Sequence, residues 1–283
     1  MIEPLLKDRA FLADVAQARQ AHDQFHLWWL GQSGFLVQWQ DRHLLLDPYL
    51  SDSLTAKYAA TDKPHVRMTA RVIAPQQLDF VDIVTSSHNH TDHLDAETLI
   101  PILQANPAIT LVIPEANRAF VADRLRIDPV RPVGVDDGLT VEVNGFHITG
   151  IASAHETVER DTAGHAHFLG YVVRFGPWSI YHSGDTMRYD GMAERLRPYA
   201  PLVALLPING HAPERRVPGN LDGREAAQLA KDIGASVVIP CHYGMFAFNT
   251  ASPEHFVAEA QRLGQPYHLL RAGECWSSPS IPA

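Results

Sequence analysis

A layered α/β fold is predicted for this chain, on three observations. Short apolar runs end repeatedly in polar, ligand-type residues. Helical segments fill gaps between the later runs. The composition, 46% hydrophobic and 19% charged over 283 residues, is that of an ordinary globular protein. That balance excludes a disordered chain, which needs low hydrophobicity and high charge. The length suffices for a large core without disulfides.

Residues 1–22 are expected to form an N-terminal helical arm, because Leu5, Leu6, Phe11, Leu12, Val15 and Ala16 are spaced for one apolar face. Residues 23–283 are expected to form a single catalytic domain. From Leu27 the pattern shifts to strands. Leu27–Leu30 ends at Gly31, Phe35–Trp39 is followed by a turn at residues 40–42, and His43–Leu46 stops at Asp47-Pro48. Short strands with such punctuation read as hairpins. Residues 51–75 carry Pro64 and Pro75 and no period, which predicts a long loop over one face.

A repeated unit follows. Phe80–Thr85 leads into His88, Phe146–Ile151 into His155, Trp178–Tyr181 into Asp185, Leu202–Leu206 into Asn209, and Val237–Ile239 into His242. In α/β folds the carboxyl ends of strands are where ligands bind. Helices are predicted over residues 222–234 and 252–264. The second has Ser252 as N-cap, Pro253 in the first turn and Gly264 past the end. Asn220 and Asp222 are expected to be helix caps.

Charge and cysteine usage narrow the function. Twenty-three basic against thirty-two acidic residues give −9. No Lys/Arg cluster supplies the basic face that a duplex-binding protein shows, so nucleic acid is not expected as main partner, although charge alone leaves an RNA-processing hydrolase open. Two cysteines, Cys241 and Cys275, exclude a disulfide scaffold and a cysteine-only zinc site, and fit a reducing compartment. No apolar run reaches the roughly eighteen residues of a membrane span. The first residues lack the basic-then-apolar order of a signal peptide. A cytoplasmic protein without stable membrane association is expected.

The sixteen histidines carry the chemistry. His88-Asn89-His90-Thr91-Asp92-His93 directly follows a strand. In an extended segment i and i+2 side chains point the same way, so His88 and His90 can share one metal. Asp92 and His93 lie where the chain turns into a helix starting near Leu94 and can swing to a second metal. A histidine-rich surface loop is the bland alternative, but His155, Asp185 and His242 each end another strand. A two-metal site needs about seven ligands, which these residues supply, and Asp185 can bridge because a carboxylate has two oxygens. Imidazole with carboxylate suits Zn or Mn, with Fe permitted.

These residues resemble the metallo-β-lactamase superfamily: His88-x-His90-x-Asp92-His93, His155, Tyr181-His182-Ser183-Gly184-Asp185-Thr186 and Pro240-Cys241-His242. The resemblance spans roughly residues 27–250. It implies a four-layer αβ/βα sandwich with a dinuclear site at the edge of two sheets. It further implies that His88, His90 and His155 hold one metal, that Asp92, His93 and His242 hold the other, and that Asp185 bridges. Within the superfamily the chain is most similar to the L-ascorbate-6-phosphate lactonase group, through Trp29–Phe35, Tyr181–Asp185 and Val237–His242. That group forms oligomers, which implies a homo-oligomer here. After His242 the group continues with Asp, where this chain has Tyr243.

The expected activity is a metal-dependent hydrolase using a metal-bridged hydroxide. Its substrate is expected to be a lactone or other ester of a small polar molecule, phosphorylated or not. Asp92 is the expected catalytic proton shuttle. Asn209, His211, Arg215 and Arg216 follow the fourth of the strands and are candidate substrate contacts, since an arginine pair holds phosphate or carboxylate. An alternative is a phosphodiesterase, because N-acyl phosphatidylethanolamine phospholipase D shares the run His88 to Asp95. A second is a metal-binding scaffold without turnover, against which the full ligand set argues.

Overall fold

A computed structural model of the chain describes residues 1–280. Thirteen strands form two sheets. In the first, β1 (Phe25–Gly31), β2 (Gly34–Trp39) and β3 (Arg42–Leu46) make an antiparallel meander. β4 (Ile83–Thr85), β5 (Thr110–Pro114) and β6 (Val133–Val135) extend it in parallel. The second sheet is built from β7 (Thr140–Val143), β8 (Phe146–Ala152), β9 (Leu169–Phe175), β10 (Trp178–His182), β11 (Val203–Pro207) and β12 (Val237–Cys241). β13 (Cys275–Ser277) returns to pair with β1 at the edge of the first sheet.

The strands sort their side chains by the two-residue period. In β1, Leu27 and Trp29 enter the core between the sheets, while Trp28 and Leu30 enter a second core beneath the outer helices. Both faces are buried, so the sequence shows an unbroken apolar run instead of alternation. Helices α1 (Asp8–Ala18), α3 (Ala96–Ala105) and α4 (Arg118–Leu125) cover the first sheet through Phe11, Val15, Leu99, Ile102, Val121 and Leu125. The second sheet is covered by α5 (Met192–Leu196), α6 (Gly223–Asp232) and α7 (Glu254–Leu263). The result is the expected four-layer α/β/β/α sandwich. Among the described residues no helix is long and apolar enough to cross a membrane.

Several expectations need correction. The segment 51–75 contains α2 (Ser53–Tyr58), a helix that buries only Leu54 and so shows no apolar stripe in sequence. The strand expected from Phe80 starts at Ile83, because Val81 N donates to Asn106 Oδ1 at 2.9 Å and Asp82 accepts from Arg42 and from the backbone N–H of His43. The helix placed near Leu94 opens at Ala96, capped by Asp95. Asp222 caps α6 in a full capping box with Glu225, but Asn220 caps nothing and donates to Asn209 Oδ1. At α7 the N-cap is Pro253, one residue beyond Ser252, and Gly264 ends the helix in the left-handed conformation as expected.

Candidate metal centre

Five strand ends and one hairpin turn converge at one edge of the sandwich. β4 delivers residues 88–93, β8 delivers His155, β10 delivers Asp185, β12 delivers His242, β3 delivers Asp47 and the β1–β2 turn delivers Gln32. The segment 88–93 is not extended, so the i, i+2 argument for His88 and His90 does not apply. It is a tight turn closed by His93 N and Leu94 N onto the carbonyl of His90, at 3.1 and 2.8 Å. Arg124 fixes that turn from outside, donating Nη1 to the carbonyls of Asn89 and Leu94. Gly184 permits the close approach of β10's end, since a Cβ there would sit 2.6 Å from the Ser87 side chain.

The donors fall into two groups. Ring nitrogens of His88, His90 and His155 lie within 4.8 Å of one another, and so do the ligand atoms of Asp92, His93, Asp185 and His242. Asp185 touches both groups. Its Oδ1 is 3.2 Å from His93 Nε2, while its Oδ2 is 3.3 Å from His242 Nε2 and 3.6 Å from His155 Nε2. Asp47 also approaches His88 and His93, but its oxygens already accept hydrogen bonds from Ser87 N, Ser87 Oγ, Thr85 Oγ1 and His93 Nδ1. It orients ligands and is not offered as one. His155 is oriented likewise, donating Nδ1 to the Gly219 carbonyl at 2.8 Å.

Three buried atoms, His88 Nε2, His93 Nε2 and Asp185 Oδ1, have no hydrogen-bond partner. Unsatisfied polar atoms in so dry a place cost free energy, and each is a good ligand atom pointing at its neighbours. The donor set therefore fits divalent metal ions. Backbone strain marks the same place: Gln32, Asp47 and His242 all have left-handed backbone, at φ 51°, 40° and 59°.

The two groups differ in charge state. Burial and the neighbouring histidines hold His88 well below the ordinary imidazole value. Burial, with His155 beside it, brings His90 down to about 4. Burial lowers His155 too, against the opposing pull of Asp185. These imidazoles are neutral, as metal ligation requires. Burial also works against charge on His93 and His242, but there the Asp185 and Asp92 carboxylates prevail. They push His93 well above its usual value and His242 up to about 9. Burial raises Asp92 and Asp185, and the facing imidazoliums more than reverse it, holding both carboxyls well below the carboxylate range.

Above the donors opens a cleft of about 280 Å³ lined by His90, Asp92, His155, Asp185 and His242. Its remaining wall carries Lys57, Lys63, Arg124 and Arg216, a cationic lining in a chain of net charge −9. Of the four candidate substrate contacts, only Arg216 lines this cleft. Asn209, His211 and Arg215 line a separate hollow beside the N-terminus of α6. Arg215 spends its guanidinium internally, on Asn249 Oδ1 and the Asn209 carbonyl. The sequence reading passed over Gln32, Lys57, Lys63 and Arg124, and took Asp47 for a strand stop. Asp47 obeyed the same pattern as the ligands, a polar residue directly after an apolar run. Gln32 carried no such signal, yet its Nε2 lies 2.8 Å from Asp92 Oδ2 and 3.0 Å from His242 Nε2.

Two packed sheets with a His/Asp donor set at their edge define a β-lactamase-superfamily domain, and residues 42–243 match the family described as "Beta-lactamase superfamily domain". A UPF0173 metal-dependent hydrolase of Methanopyrus kandleri is 32% identical over 254 residues, covering 88% of this chain and 97% of that one. The chain thus belongs to the metal-dependent hydrolases of the β-lactamase superfamily. Solved structures with the same fold include a metallo hydrolase of Ignicoccus hospitalis (TM-score 0.67, 21% identity, 91% of this chain and 100% of that one). An isothiocyanate hydrolase from Delia radicum gut bacteria is also similar (TM-score 0.71, 19% identity, 90% of this chain and 100% of that one). At these identities the likeness carries the fold alone.

Proposed function

We propose that the protein hydrolyses a lactone or other carboxylic ester of a small, anionic substrate, with two divalent ions held at the centre. His88, His90 and His155 would hold one ion, Asp92, His93 and His242 the other, with Asp185 between them. Ions bound there would supply Lewis acidity and lower the pKa of water. The single observation that supports this reading is Asp185 at the floor of the cleft, whose Oδ2 lies between His155 of one donor group and His242 of the other while Oδ1 reaches His93.

The chain's own residues complete the reaction. Lys57, Lys63 and Arg216 draw an anionic substrate to the mouth and orient its charged end away from the donors. Asp92 is the more exposed of the two donor carboxylates lining the cleft, its side chain 17% exposed against 4% for Asp185. A carboxylate so placed can accept a proton from the attacking water and pass it to the departing alkoxide. Gln32 Nε2 holds that carboxylate in place.

The test is a panel of lactones and phosphodiesters, each in anionic and neutral form, assayed with protein loaded with Zn, Mn or Fe. Turnover of anionic lactones supports the reading. Turnover of phosphodiesters alone would replace it with the phosphodiesterase reading, and no turnover of either class by fully loaded protein would remove both.

A further inference from the structure

The wall of the cleft contains a polar relay that the reaction chemistry does not use. Arg215 Nη1 donates to Asn249 Oδ1 at 2.7 Å, Asn209 Nδ2 donates to the same oxygen at 3.0 Å, and Asn220 Nδ2 donates to Asn209 Oδ1 at 3.1 Å. Asn209 and Asn220 are each 1% exposed and sit on opposite arms of the loop 210–221, whose ends are clamped by the Asn209–Asp222 bridge.

An amide can be turned end for end, but this chain of amides cannot. A guanidinium has donors only, so Asn249 must show it oxygen. Asn209 must then give its nitrogen to Asn249 and its oxygen to Asn220, which must give its nitrogen in turn. One arginine thereby fixes the sense of three side chains. Two groups are left over, and both belong to residues that line the cleft. Asn220 Oδ1 is buried and has no partner, and Asn249 Nδ2 donates to no protein group among the described residues. An unpaired buried acceptor in a ligand cleft is costly unless the ligand completes it. Asn220 also directly follows Gly219, whose carbonyl orients His155, so the acceptor is tied to the metal centre through one peptide.

We infer that Asn220 and Asn249 are specificity-determining residues, and that Arg215 is their positioning residue. They select a substrate carrying a hydroxyl, a group that is donor and acceptor at once, near its scissile bond. This inference rests on the hydrolytic reading above for the word scissile, but the recognition itself needs no turnover.

The experiment uses two ligand pairs on metal-loaded protein. One pair is γ-butyrolactone and its α-hydroxy derivative, followed by hydrolysis. The other is the matching ring-opened acids, 4-hydroxybutanoate and 2,4-dihydroxybutanoate, followed by calorimetric binding. Wild type should favour the hydroxylated member of each pair about tenfold, because the analogue leaves a buried acceptor unpaired. In Asn220→Ala the preference should fall to about one. In Arg215→Met it should shrink through KM with kcat retained, since the amides lose their fixed sense. If wild type shows no preference between the acids, or Asn220→Ala keeps it, the inference is overturned. If the acids are discriminated while neither these lactones nor the anionic lactones of the panel above are cleaved, the recognition stands and the lactone reading fails.

Discussion

His93 Nδ1 lies 2.7 Å from Asp47 Oδ2, and neither side chain is reached by solvent. The carboxylate accepts a hydrogen bond from Nδ1–H and so aims Nε2 at Asp185 and Asp92. Asp47 accepts three further hydrogen bonds, from Thr85 Oγ1, Ser87 N and Ser87 Oγ, so every lone pair facing this group is committed. Asp47→Asn places an N–H where only acceptors serve. Metal affinity should fall at least about tenfold, the usual result of losing such an orienting carboxylate. Competition against a chromogenic chelator measures it, and unchanged affinity would remove Asp47 from the orienting role.

Metal uptake should release protons. His93 sits well above its usual value and His242 at about 9, both because of the facing carboxylates, so at neutral pH the metal-free protein carries both as imidazoliums. Ligation needs neutral rings. About two protons should therefore leave per chain at pH 7, and affinity should still be rising with pH at about 9, where His242 is half neutral. His88, His90 and His155, already neutral, add nothing. Calorimetric titration in two buffers of different ionisation enthalpy counts the protons; a count of zero would contradict this charge assignment.

The sequence showed the donor set because it is concentrated: four of the seven donors lie within residues 88–93, and the other three each follow an apolar run. It did not show how residues 88–93 fold, because the turn depends on the His90 carbonyl and on Arg124 from a distant helix. Arg215 and Arg216 are adjacent in sequence yet line different hollows. Arg216 takes left-handed backbone at φ 52°, ending a short turn, and its side chain leaves in another direction to pair with Asp62. No local pattern encodes that divergence. Asp47 was visible as a residue but not as a partner, since its role exists only once β3 lies beside β4.

Helix α1 is bound to the first sheet by Phe11, fully buried and edge-on to Trp28 at 6.3 Å, and by Trp28 Nε1 donating to Asp14 Oδ2 at 2.8 Å. Phe11→Ala should cost about 3–5 kcal/mol of unfolding free energy, the usual range for a large buried aromatic. Denaturant titration of the metal-free protein reads it directly. A loss below about 1 kcal/mol would show that the helix is an appendage, carrying little of the domain's stability.

Arg216 is 60% exposed and already paired with the exposed carboxylate of Asp62, so its effect on substrate capture should be modest and salt-sensitive. Arg216→Ala should raise KM for an anionic substrate about threefold at low ionic strength, and the difference should vanish near 0.5 M salt as screening shortens the reach of surface charge. Steady-state kinetics over a salt series with an anionic and a neutral substrate decides the matter. Equal effects on both substrates would mean that the side chain shapes the mouth of the cleft without steering charge.

Asp185→Asn tests the centre of the site. The carboxylate uses both oxygens, Oδ1 toward His93 and Oδ2 toward His242 and, across the site, His155. An amide has a single oxygen of lower charge, and its nitrogen repels a cation. Two ions share the cavity only if an anion between them screens their mutual repulsion. The variant should therefore fold, since Asp185 Oδ1 makes no protein hydrogen bond that folding needs, and should bind at most one ion where wild type is expected to bind two. Hydrolysis should fall by at least about a hundredfold, the scale on which a single key electrostatic group acts. Elemental analysis after gel filtration gives the stoichiometry and circular dichroism the fold. Two ions and wild-type turnover in Asp185→Asn would take away the bridging role on which the hydrolytic mechanism rests.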